Sequence, residues 1–168
     1  VNGMTSSGGT RVVVTVTVPE GYSLRQTIDL LEEYEVCTAE DLWDAAANFN
    51  FEYNFLPADS MGDQQRLEGF LFPDTYDFYI NDRPSRVLNK MLSNFNSRWT
   101  EEMSTRAQEI GYSVRDIVNI AAMIEEEAGA ESERADISSV IYNRLDVDMP
   151  LQMDSTITYI IAATGQDF

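Results

Sequence analysis

The chain has 168 residues, 43% of them hydrophobic, with a formal net charge of −18, no histidine and one cysteine. That length suits one domain, or two small ones sharing a core, and the apolar fraction argues against wholesale disorder. The acidity repels nucleic acid and anionic lipid, the lack of histidine removes Ser-His-Asp, Cys-His and His-rich metal chemistry, and Cys37 alone can form neither an internal disulfide nor a cysteine zinc cluster.

Residues 1–11 are rich in Gly, Ser and Thr and read as a linker. The β-branched run from Val12 to Val18, closed by Pro19 and Gly21, predicts a strand and a turn. Ser23 opens a helix, with Gln26 completing a capping box and Leu24, Ile28 and Leu31 on its apolar side. Thr38 and Asp41 repeat the signal for a second helix, with Leu42, Ala45, Ala46 and Phe49 facing inward. The aromatic stretch Leu67–Tyr79 reads as strand-like, interrupted at Pro73.

From Pro84 the chain becomes helical. Val87, Leu88, Met91, Leu92, Phe95 and Trp99 form one long stripe, on a helix that also carries Lys90, the only lysine. Schiff-base chemistry, as in a pyridoxal phosphate enzyme, therefore has one poor candidate, and if the chain is an enzyme its chemistry is expected to be carboxylate chemistry. Ser113 and Asp116 cap a further helix that Gly129 ends; the next carries Ile137, Val140, Ile141 and Leu145 on one side. Residues 146–156 read as a loop, in which Asp154 or Ser155 caps a last helix closed by Gly165. The expected fold class is α+β. No apolar run reaches membrane-spanning length, no signal peptide is visible, and a chain beginning at Val1 is expected to be an excised piece of a longer protein.

Three glutamates follow one another at Glu125, Glu126 and Glu127. At about 100° per residue, with Ala121 at the centre of the apolar arc, Val114, Ile117, Val118, Ile124 and Ala128 fall within roughly 60° of it. So does Glu125. Glu126 falls on the polar side near Asn119 and Arg115, and Glu127 on the boundary. A carboxylate among apolar neighbours loses hydration, which disfavours its charged form and suits it to donating a proton. The partial negative charge of the helix C-terminus acts in the same sense. Alternatively, Glu125 bends out at a frayed last turn, or pairs with Arg134 or Arg144.

Four blocks carry a resemblance: VPEGYSLRQTIDLL at Val18–Leu31, LEGFLFPDTY at Leu67–Tyr76, IEEEAGAESER at Ile124–Arg134 followed by SVIYNRL at Ser139–Leu145, and MPLQMDSTITY at Met149–Tyr159. In this order they resemble the endolytic murein transglycosylases of the MltG/YceG-like family, membrane-anchored enzymes that cut peptidoglycan glycan strands. The resemblance implies a LysM-like βααβ subdomain over residues 12–80 and a mainly helical catalytic subdomain over 81–168. It also implies that the N-terminal anchor and the C-terminal part of the catalytic domain lie outside this chain, and that the parent protein works on the extracytoplasmic face of the cell membrane.

The implied reaction is non-hydrolytic cleavage of the MurNAc–GlcNAc β-1,4 bond, with Glu125 as the catalytic residue. No metal or cofactor is implied. Glu127 matches the second Glu of the family's Glu-x-Glu pair, and either binds sugar or is a solvated helix-end charge. Arg134 either fixes one of these carboxylates, binds a substrate carboxylate, or makes a surface ion pair worth little. Asn143, Gln152, Asp154 and Thr156 match family positions whose amides and hydroxyls suit sugar groups, although Asp154 is equally an N-cap. Phe70, Phe72 and Tyr76 are candidates to line a glycan cleft, with core packing expected for at least one of the two phenylalanines. The partners implied are peptidoglycan strands and cell-wall synthesis proteins. A glycan-binding or scaffold module, an acidic docking protein and a lysozyme-like hydrolase are the competing readings.

Overall fold

The computed structural model describes residues 11–57 and 59–152. Alternation of side chains sets the first strand, β1 (Val13–Thr17), which turns Val16 inward and leaves Val13 exposed. It pairs antiparallel with β2 (Thr75–Tyr79), with Val16 opposite Tyr76 and Val14 opposite Phe78. Between them lie α1 (Leu24–Glu33) and α2 (Ala39–Asn48), so the βααβ order is as expected. The Ser23–Gln26 capping box forms, and the Thr38 side chain accepts the Asp41 N–H. Of the 67–79 stretch only its end is strand; Leu67 to Phe70 is turn and Leu71 to Asp74 is irregular.

The third helix, α3 (Pro84–Arg98), starts on proline, whose missing N–H is no loss in a first turn. Its stripe from Val87 to Phe95 is buried in the same cluster as Val16, Ile28, Leu31 and Leu42. One core therefore runs from β1 through α3. At its heart Phe55, Phe70 and Phe95 meet with ring centroids 4.8 to 5.2 Å apart, pairings worth about 0.5–1.5 kcal/mol each beyond their area. Phe49, expected inward on α2, is 47% exposed. It is the C-cap residue, where the backbone has left helical geometry and the periodicity no longer applies.

Three helices follow: α4 (Glu101–Glu109), α5 (Val114–Glu127) and α6 (Arg134–Asp146), with a single 3-10 turn at Glu131–Glu133. α4 was not foreseen in the sequence. It is capped by Thr100 but buries only Ala107, so it has almost no apolar stripe to read. α5 forms its Ser113–Asp116 capping box and packs against α4 and α6. Ile120 and Ile141 are the buried residues of α5 and α6. Val140, expected on the apolar side of α6, is exposed. The helix predicted after Asp154 lies outside the described residues. Among the described residues no helix is long and apolar enough to cross a membrane.

Candidate active site

The segment from Arg66 to Pro73 runs between α2 and β2 and touches α1, α2 and α5. Arg66 is 3% exposed; its Nε donates to the Ala46 carbonyl at 2.5 Å and its Nη2 to that of Phe49. Both carbonyls belong to the C-terminal end of α2, which carries partial negative charge. Two residues on, Glu68 turns to the opposite kind of helix end. Both of its carboxylate oxygens lie 3.0 Å from the Leu24 N–H, in the first turn of α1. Burial pushes the Glu68 carboxyl above the usual carboxylate range; the N–H groups of Leu24 and Gly69 and the Arg115 guanidinium pull it back less strongly. A cation thus sits at one helix C-terminus and an anion at another helix N-terminus, both from a single short segment.

α5 seats on the same segment. Gly69 has φ +79, and a Cβ there would stand 2.7 Å from Val118 Cγ1, so only glycine permits this approach. Arg115 donates from Nη2 to the Arg66 carbonyl, and its guanidinium lies 5.1 Å from the Phe70 ring centroid.

These contacts leave a cleft of about 780 Å³. Pro19–Leu24, with Gln26 and Thr27, lines one side; Val118, Asn119, Ala121, Ala122 and Ile124–Glu126 line the other. Leu67–Gly69 and Leu71–Pro73 lie between them, and Arg134 also contributes. The two sides approach at Gly21, where a Cβ would come within 4.0 Å of Glu126 Oε1. The Glu133 carboxylate accepts the N–H groups of Gly129 (3.0 Å) and Ala130 (3.1 Å), fixing the turn that brings Arg134 back to the cleft.

Glu125 lines the cleft and is exposed, not set among buried apolar neighbours as the helical wheel implied. The wheel was centred one residue off: Ile120 is the buried position of α5, and Ala121 is exposed. The arc read as core-facing instead serves two surroundings. Val114 and Val118 pack on the core, while Ala121 and Ile124 form cleft wall. Glu126, read as an ordinary solvated residue, faces the cleft beside Glu125. Among the described residues Glu125 pairs with neither Arg134 nor Arg144, and Arg144 instead donates to the Leu151 carbonyl.

Phe72 lines the cleft half-buried, with Arg98 standing 5.1 Å from its ring centroid. Phe70 is fully buried in the core. Tyr76 is buried too; its hydroxyl donates to the Phe72 carbonyl at 2.6 Å and accepts from Asn94 at 3.0 Å, bracing the wall from behind. Glu127, Asn143 and Gln152 are exposed and are not among the residues lining the cleft. Asp154 and Thr156 lie outside the described residues. Sequence reasoning missed Glu68, Arg66 and Arg115. Glu68 stood in the quoted LEGFLFPDTY block, where a lone carboxylate between apolar Leu67 and Gly69–Phe70 is the available signal; nothing marked the two arginines.

The YceG-like family matches residues 1–167, and the chain belongs to it. A protein of Streptococcus pneumoniae serotype 2 (strain D39) named endolytic murein transglycosylase is 30% identical over 171 residues, covering 93% of this chain and 31% of that protein. One of the same name from Bacillus subtilis (strain 168) is 30% identical over 171 residues, covering 92% of this chain and 45% of that protein. The chain therefore spans less than half the length of these curated relatives. The crystal structure of a YceG-like protein from Listeria monocytogenes matches with a TM-score of 0.73 at 25% identity, over 96% of this chain and 55% of that one.

Proposed function

We propose that this member of the YceG-like family is the core of a lytic transglycosylase that cleaves peptidoglycan glycan strands at the MurNAc–GlcNAc β-1,4 bond. The observation that carries the reading is the place of Glu125, the residue matching the family's catalytic glutamate, on the wall of an open cleft between the two halves of the fold. A polymer substrate needs such an open cleft rather than a closed pocket.

In the reaction Glu125 protonates the leaving glycosidic oxygen. The C6 hydroxyl of the muramic residue then attacks C1 and returns its proton to the same carboxylate, closing a 1,6-anhydro ring. No water is consumed, so one carboxylate serves as acid and then as base, unlike the two-carboxylate arrangement of hydrolases. A strand lying against Ala121, Ala122 and Ile124 would displace water from Glu125 and supply the dry surroundings the acid step needs. Arg134 is the cation on the same cleft, and Phe72 offers a ring to a sugar face. In this reading residues 12–80 and 81–168 act as the two sides of one site, and Glu127, Asn143, Gln152, Asp154 and Thr156 extend the binding surface. Such a substrate places the working protein on the outer face of the cell membrane, with cell-wall synthesis proteins as its neighbours.

The test uses the full-length protein and its Glu125→Gln variant on purified glycan strands, with products weighed by mass spectrometry. Products ending in 1,6-anhydro rings, absent with the variant, are expected. Products heavier by one water would make it a hydrolase, and strands bound but uncut would make it a binding module.

A further inference from the structure

The cleft's two sides come from distant parts of the chain and are both tied to the Arg66–Gly69 segment. The β1–α1 side ends in the first turn of α1. There the Ser23 hydroxyl is used by the Gln26 N–H, and the Ser23 N–H by the Gln26 side chain. The N–H of Leu24, a residue only 2% exposed, is left for an acceptor from elsewhere, and Glu68 supplies it. The α5 side is held to the same segment by Gly69 against Val118 and by Arg115 on the Arg66 carbonyl. Glu68 is thus the bond by which the segment carrying α5 grips the helix end carrying the opposite side. Glu68 lines the cleft half-buried, with both of its oxygens accepting the Leu24 N–H, whereas Glu125 on the opposite wall is exposed.

We propose that Glu68 is a positioning residue: it fixes the Tyr22–Leu24 side of the cleft relative to Glu125, so that a strand lying on one side meets the acid on the other. This rests on the transglycosylase reading of the cleft. A displacement of about 1 Å between a bound substrate and its acid can cost on the order of 100-fold in rate. Glu68 acts on that displacement and not on the chemistry.

The experiment measures steady-state strand cleavage by the full-length protein and by its Glu68→Ala, Glu68→Gln, Glu68→Asp and Arg115→Ala variants, at a temperature where circular dichroism shows each folded. Glu68→Ala is expected to lose roughly 10- to 100-fold in kcat with little change in KM. Glu68→Gln keeps an oxygen for the Leu24 N–H and should recover to within about threefold, a neutral bond being weaker than a charged one. Glu68→Asp keeps the charge but is one methylene short, and should resemble Glu68→Ala. Because both residues act through one segment, Arg115→Ala combined with Glu68→Ala should lose less than the product of the single losses. Wild-type kcat in folded Glu68→Ala or Glu68→Asp overturns the proposal. So does a Glu68→Gln as impaired as Glu68→Ala, which would make the charge itself the active element. If Glu68→Ala does not fold, the Gln and Asp variants carry the decision. Cleavage retained in Glu125→Gln sinks the reading of the cleft; cleavage lost there but retained in Glu68→Ala sinks the positioning role alone.

Discussion

Gly69→Ala tests how tightly α5 is seated. Two costs add. At φ +79 an alanine is in the left-handed region, at about 1–2 kcal/mol. Its Cβ would stand 2.7 Å from Val118 Cγ1, where carbon atoms rest at about 3.5–4.0 Å, and a stiff β-branched side chain cannot swing away. Such overpacking typically costs about 1–3 kcal/mol. Reduced freedom of the unfolded chain returns roughly 0.4–1 kcal/mol. The net loss is about 1–4.6 kcal/mol, and at about 2–4 °C per kcal/mol for a chain of this size the Tm falls by roughly 2–18 °C. Urea unfolding followed by circular dichroism measures it. The companion variant is Val118→Ala, which removes the clashing atom but not the backbone strain. Alone it should destabilise; in the Gly69→Ala background it should restore part of the loss, a coupling of about 1–2 kcal/mol. Strict additivity of the two changes would refute the close approach.

Arg66→Met keeps an apolar stem but strips the donors from two carbonyls, and should cost about 2–4 kcal/mol in the same unfolding assay; a loss well under 1 kcal/mol would show that those carbonyls find other partners. The Cys37 thiol is pushed up to about 12, by burial first and then by Asp82 and Asp41, and its Sγ donates to the Asp82 carbonyl at 3.2 Å. A thiol reagent at pH 8 should therefore leave the folded protein unlabelled and react only on unfolding; rapid labelling of native protein would contradict the burial. Glu68 gives a pH signature. Its folded carboxyl binds a proton more tightly than the unfolded one, so the stability that goes with protonation is present at low pH and declines as pH rises through the carboxylate range. Glutamine takes up no such proton, so the stability of wild type relative to Glu68→Gln should fall with rising pH; a rise would mean that the Leu24 and Gly69 N–H groups and Arg115 outweigh burial.

What the sequence made legible were features written locally. Ser23 with Gln26, Thr38 with Asp41 and Ser113 with Asp116 each marked a helix start that the structure contains. Leu24, Ile28 and Leu31, and the stripe from Val87 to Phe95, named the core faces of α1 and α3. Periodicity did less for α5. A helix that lines a groove keeps small and apolar residues there, and these look the same as residues facing a core. Hence periodicity alone puts Ala121 at the centre of a buried face and Glu126 on the polar side. The Arg66–Gly69 segment was illegible for another reason. Its partners are backbone groups of α1 and α2, and a backbone N–H or carbonyl has no letter in the sequence.

The core that begins at β1 is complete once α3 has been added, and α4, α5 and α6 contribute few fully buried side chains of their own. During synthesis, then, the first part of the chain can close its core before α5 exists, and α5 docks on a surface already made. The same inequality persists in the native state as a gradient of local stability. Amide hydrogens of α1, α2 and α3 are expected to exchange slowest and those of α5 and α6 faster, which hydrogen-exchange mass spectrometry would check. The helix that carries Glu125 thus belongs to the part with more freedom to breathe, and because it lines the cleft a ligand bound there should slow its exchange.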